Sequence, residues 1–120
     1  MNFFTKSIRA FLKKGTELKG TPYTEAKSYD ELYLCTPIWA LNGTPAMISF
    51  INNVDFTDKS IKILTVRGFP DSVSGTHKYL SNKIKSRNGN VIATYDIKGA
   101  PIGKTTTLSN IQDQIKKLKI

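Results

Sequence analysis

The stretch Asp30-Glu31-Leu32-Tyr33-Leu34-Cys35-Thr36-Pro37-Ile38-Trp39 carries the strongest structural signal in the chain. Its apolar, aromatic and β-compatible residues suit a strand, and Pro37, which has no N–H to donate, closes the ladder just before Trp39. Ala40-Leu41-Asn42-Gly43 follows as a loop, and Thr44-Pro45 pairs a capping residue with a first-turn proline. The order is strand, loop at the strand's carboxyl end, helix start. Open α/β sheets bind ligands in the crevice outside the carboxyl ends of their strands, so this loop is the first candidate for a site.

Downstream the same unit repeats. Met47, Phe50, Ile51 and Val54 make an i, i+3, i+4, i+7 face, the mark of a helix with one buried side. Ile61, Ile63, Leu64 and Val66 predict a second strand, apolar enough to be buried on both faces as parallel strands are. Arg67-Gly68-Phe69-Pro70-Asp71-Ser72 is then another loop at a strand's carboxyl end. A helix carrying Val73, His77, Leu80 and Ile84 runs to a stop at Asn88-Gly89. Residues 91–97 predict the third strand, and residues 98–106, rich in glycine and threonine, a loop. The last helix carries Leu108, Ile111, Ile115 and Leu118, with lysines in its final turns where the helix dipole favours cations.

Upstream, residues 16–28 are polar, with Gly20 and Pro22, and read as a connector. Residues 1–15 place Phe4, Ile8, Phe11 and Leu12 on one stripe and Lys6, Arg9 and Lys13 off it, which predicts an amphipathic basic helix. Three roles suit such a helix: covering the protein's own core, lying on a membrane surface, or serving as a transit peptide. The whole order is a helix followed by three strand–helix units in one domain, residues 1–120. Helical crossovers imply parallel strands joined with right-handed connections.

Composition narrows the classes. No apolar run approaches the length of a membrane span. Cys35 is the one cysteine, so neither an intramolecular disulfide nor a cysteine-based zinc site is available. It is expected to pack as a small buried hydrophobe in a reducing cytoplasm. His77, the one histidine, lies on or beside an apolar stripe and reads as a packed or boundary residue. No nucleophile–base pattern accompanies it, which leaves a hydrolytic enzyme nothing to assign. The net charge of +9 predicts attraction to anions but is spread along the chain. Basic residues are not interleaved with exposed aromatics, so no nucleic-acid groove is expected.

Residues 29–39, continuing through Gly43-Thr44-Pro45-Ala46-Met47 to Phe50-Ile51, resemble the flavodoxin family. In that family an apolar strand ends in a Thr-Pro-aromatic loop followed by a helix with small residues and prolines at its start. The glycine-containing loop at Arg67-Gly68 and the order of the later elements also match, over roughly residues 3–120. Flavodoxins have the strand order 2-1-3-4-5, and this chain supplies the last three. The resemblance therefore implies a flavodoxin-like open α/β three-layer sandwich, truncated to about three parallel strands with flanking helices. The portion before them would carry the first strand and its hydroxyl- and glycine-rich phosphate loop. Gly103-Lys104-Thr105 is no substitute, because the upstream glycine at 99 breaks the spacing of a phosphate loop. Coding sequence upstream of Met1 would be the place to find the missing half.

By the same resemblance, two loops clamp the isoalloxazine ring of flavin mononucleotide (FMN). They are Thr36, Pro37, Ile38, Trp39, Asn42 and Gly43 from the first loop and Arg67, Gly68 and Phe69 from the second. Trp39 either stacks on the ring or packs against Phe69. The implied activity is electron transfer through bound FMN to a redox partner protein, as a redox carrier or oxidoreductase component. Without the phosphate anchor, flavin binding is expected to be weak or lost. A second class of role follows from the missing strands. The outer edge of strand 31–38 would be unpaired, and a homodimer, a complementing chain or the N-terminal helix could cover it.

Overall fold

Alternation along the pivotal stretch decides which side of the sheet is sealed. In the computed structural model, which describes residues 17–38, 43–67, 74–99 and 108–118, three strands pair in parallel. They are β1 (Glu31–Pro37), β2 (Ser60–Arg67) and β3 (Asn90–Lys98), with β2 in the centre. Four helices accompany them: α1 (Pro22–Ala26), α2 (Pro45–Asn53), α3 (Ser74–Ser86) and α4 (Leu108–Lys117). This is the α/β arrangement that the order of strands and helices predicts. The expected N-terminal helix, residues 1–15, lies outside the described residues.

On one face of the sheet Leu34, Ile61 and Ile63 are buried with Ala26 of α1, Ile51 of α2 and Leu80 and Ile84 of α3. Phe56, in the link after α2, is fully buried in this cluster and meets Phe50 edge-on at 6.3 Å between ring centroids. Removing a side chain of this size from water contributes roughly 1.5–3 kcal/mol, so these few residues dominate the core. The Phe56 link is tied to the end of α3: its N–H donates to the Arg87 carbonyl, and Arg87 Nε donates to the Val54 carbonyl.

The helix ends follow local chemistry. Thr44 takes an extended backbone and its Oγ1 accepts from the Met47 N–H at 3.3 Å, with Pro45 in the first turn. At the end of α3 it is Asn88, with φ 70°, that turns left-handed. Gly89 beside it is needed for space. A Cβ there would fall 2.4 Å from Ile84 Cγ2 and 2.9 Å from Phe56 Cβ.

Three expectations are corrected. The connector 16–28 contains α1, a single short turn whose Ala26 is buried and whose Tyr23 stacks on Phe50. Five residues show no helical period, and tertiary packing rather than propensity forms such a turn. Second, β2 is not buried on both faces: Ile61 and Ile63 are sealed, whereas Val66 is 40 % exposed. Third, Cys35 is exposed. With Leu34 and Thr36 committed to the core, the period of two turns Cys35 to the opposite face. Enough protein surrounds the thiol that desolvation still raises its pKa.

On that opposite face β1 presents Glu31, Tyr33 and Cys35, all exposed. Tyr33 and Val66 are exposed, and Lys62 Nζ bridges Glu31 at 3.0 Å and the Tyr33 hydroxyl at 2.9 Å. The Tyr33 hydrogen bond first, then Glu31, holds the Lys62 ammonium above its usual range. The fourth helix lies against β3. Gln114 joins them as a strand would, Nε2 donating to the Lys98 carbonyl and Oε1 accepting the Lys98 N–H. Of its predicted stripe, Ile115 is 45 % exposed. No helix among the described residues is long and apolar enough to cross a membrane.

Candidate functional site

The register of β1 on β2 pairs Thr36 with Thr65 and Pro37 with Val66. The two loops of interest therefore leave the sheet side by side at its carboxyl end. The pairing runs one step past the strand, since the Ile38 N–H donates to the Val66 carbonyl at 2.9 Å.

Thr36 is 2 % exposed, and its hydroxyl works within the loop. Its Oγ1 accepts from the Thr44 N–H at 3.2 Å and donates to the Pro37 carbonyl at 3.0 Å. One side chain thus fastens both ends of the loop that starts at Pro37 and returns at Gly43. Pro37 is exposed, Ile38 half-buried and Gly43 buried against Thr36 and Leu80. A Cβ on Gly43 would meet Leu80 Cδ2 at 3.5 Å, an ordinary contact.

Arg67 ends β2, half-buried. Its Nε donates to Asp96 Oδ2 at 2.6 Å, and its carbonyl accepts from the Gly99 N–H at 2.6 Å. The root of the second loop is therefore tied to the root of the third. Trp39, Asn42, Gly68 and Phe69 lie outside the described residues.

Behind Arg67 is a cluster that the sequence reading did not assemble. Thr65 is fully buried, and its Oγ1 lies 2.8 Å from His77 Nε2, 3.1 Å from Asp96 Oδ1 and 3.3 Å from the Tyr95 carbonyl. Burial lowers the His77 pKa, opposed by the Asp96 charge and by hydrogen bonding to the Tyr95 backbone. His77 is the half-buried boundary residue its stripe predicts, on α3 against two strands. One signal was available: Asp96 is an acid inside an otherwise apolar strand, and buried charges come paired. Its partners, Thr65 and Arg67, come from register, which no local pattern supplies.

The arrangement brings two loop roots side by side at the carboxyl end of a parallel sheet, one of them a paired arginine. Of the residues that the resemblance assigns to the ring of FMN, the described ones are Thr36, Pro37, Ile38, Gly43 and Arg67, all at the loop roots. The glycine- and threonine-rich stretch 99–107 comes after β3 and before α4, and Gly103-Lys104-Thr105 lacks the glycine spacing of a phosphate loop.

Neither a protein-family profile nor a curated protein sequence matches the chain. A crystal structure of a "putative flavoprotein" from Bacteroides uniformis is similar to it, with a TM-score of 0.53 and 24% identity over 73% of this chain. The chain spans 51% of the length of that protein. At this identity the likeness is one of fold.

Proposed function

We propose that this chain is a flavodoxin-like module whose two carboxyl-end loops face the ring of FMN, in the service of electron transfer to a partner protein. The observation that carries the reading is the register of Thr36 on Thr65, which roots the two loops side by side. The fold likeness to a protein named for a flavin supports it. When bound, FMN would supply the redox chemistry, and the chain would orient the ring and exclude water from one of its faces. Binding by the chain alone is weak, because the charge-assisted anchor for the phosphate is missing from it. Titrating FMN into the purified protein and following flavin fluorescence tests this, with a Kd above micromolar expected. Submicromolar binding by a monomer overturns the proposed weakness. No change in fluorescence up to millimolar protein overturns the flavin reading itself.

A second reading rests on the edge of β1. Among the described residues β1 pairs with β2 alone, and the adjoining face exposes Tyr33 and Val66. An unpaired edge on an apolar strand invites a further strand. On this reading the chain is an assembly module, joined through strand 31–38 to a second copy or to a chain bearing the missing half. Sedimentation across a range of low concentrations checks it, and a compact monomer throughout removes the self-association arm.

A further inference from the structure

We infer that His77, Thr65 and Asp96 form a hydrogen-bond chain of fixed direction that positions Arg67 at the root of the second carboxyl-end loop. The direction follows from counting protons. A threonine hydroxyl has one proton to give and two lone pairs to receive with. Around Thr65 Oγ1 stand the Tyr95 carbonyl, which can only accept, the Asp96 carboxylate, which when ionised can only accept, and the His77 Nε2, which can do either.

If Thr65 gave its proton to His77, Asp96 Oδ1 would face hydroxyl lone pairs at 3.1 Å with no proton between them. Thr65 is 0 % exposed, so water cannot relieve that contact. The other arrangement satisfies the three side chains, and the Tyr95 carbonyl, neutral and farther away at 3.3 Å, is the weaker competitor for the hydroxyl proton. His77 Nε2–H donates to Thr65 Oγ1, Thr65 donates to Asp96 Oδ1, and Asp96 Oδ2 accepts from Arg67 Nε. Neutral His77 therefore carries its proton on Nε2, an assignment made from the network.

Each carboxylate oxygen of Asp96 thus holds one donor, one from the core side and one from the loop side. The carboxylate is fixed in plane and the guanidinium is fixed against it, since Arg–carboxylate geometry is directional. Asp96, Thr65 and His77 are positioning residues: they act on the site through Arg67. The consequence for ligand binding rests on the flavin reading above; the chain of bonds does not.

The test uses the two separately. His77 is the single histidine, so long-range nitrogen–proton NMR of the untagged full chain without flavin reports one imidazole. The expected result near pH 8 is the Nε2–H tautomer in the wild type, kept in Thr65→Ser and lost to a tautomer mixture in Thr65→Val. Asp96→Asn should also shift His77 toward Nδ1–H, because the new amide can donate to Thr65 and free its proton for the ring. Nδ1–H in the wild type overturns the inference, as does a folded Thr65→Val with unchanged ring signals. Should Thr65→Val not fold, the wild type, Thr65→Ser and Asp96→Asn decide it. In an FMN titration, Asp96→Asn is expected to weaken binding on the order of tenfold, the effect of one charge-assisted contact, with Thr65→Ser near wild type. Absence of FMN binding in every variant, with the tautomer as expected, overturns the flavin reading and leaves the hydrogen-bond chain standing. Equal FMN binding in the wild type and Asp96→Asn overturns the positioning of Arg67.

Discussion

On one face of the sheet Leu34, Ile61 and Ile63 are sealed beneath α1, α2 and α3; on the other, Tyr33, Cys35 and Val66 stand exposed on the same two strands. Neighbouring residues along one strand have opposite fates because side chains alternate. Composition does not separate the faces, since Val66 is as apolar as Ile63. Covering does. A parallel sheet is ordinarily buried on both sides, and the exposure of Tyr33 and Val66 sets this face apart from the sealed one.

Stability measurements can sharpen or break this contrast. The largest effect is expected from Phe56→Ala, which leaves a cavity in the sealed side. A loss of about 3–5 kcal/mol should appear as a lower urea midpoint with little change in slope. Gly89→Ala is expected to cost about 1–3 kcal/mol through overpacking, because its Cβ would press on Ile84 and Phe56. A milder result in thermal melts would mean that the α3 terminus can shift as a body. Thr44→Ala removes the cap of α2, with a loss of about 1 kcal/mol expected in the same melts. On the open side, Tyr33→Ala should change the urea midpoint by no more than about 0.5 kcal/mol in stability, since exposed ion pairs and hydrogen bonds contribute little. A loss as large as that of Phe56→Ala would break the contrast, because it would mean that a partner covers this face in solution.

The smallest effect is one of pH. Burial holds the His77 pKa below its ordinary value of 6.5 in the folded chain. Between the folded value and 6.5 the unfolded chain binds more protons, so stability rises with pH in that window. His77 therefore contributes nothing adverse above pH 6.5, and stability falls as pH drops below it until the folded value is reached. Urea midpoints of the wild type and His77→Gln, compared from pH 8 to pH 5, should diverge only below about 6.5. Parallel curves would show that His77 is solvated like a free imidazole.

Much of the framework was legible from residues alone. The Thr44-Pro45 start, the strand-closing Pro37, the stop at Asn88-Gly89 and the three strand–helix units depend on contacts within a few residues, where propensity and capping act. Turn α1 was not legible, because five residues carry no period and Ala26 is held by its neighbours in the core. The exposure of Cys35 and Val66 was not legible either. Strand pattern tells which residues share a face, and only the arrangement of helices tells whether that face is covered.

The candidate site divides the same way. Residues alone located where the two loops start and which side chains stand at their roots. Tertiary structure decided that Thr36 fastens its own loop and that Thr65, His77, Asp96 and Arg67 meet. Those four come from two strands and a helix, and what brings them together is the register of parallel pairing. Register is set by the packing of whole strands against the core, so no local stretch of sequence contains it.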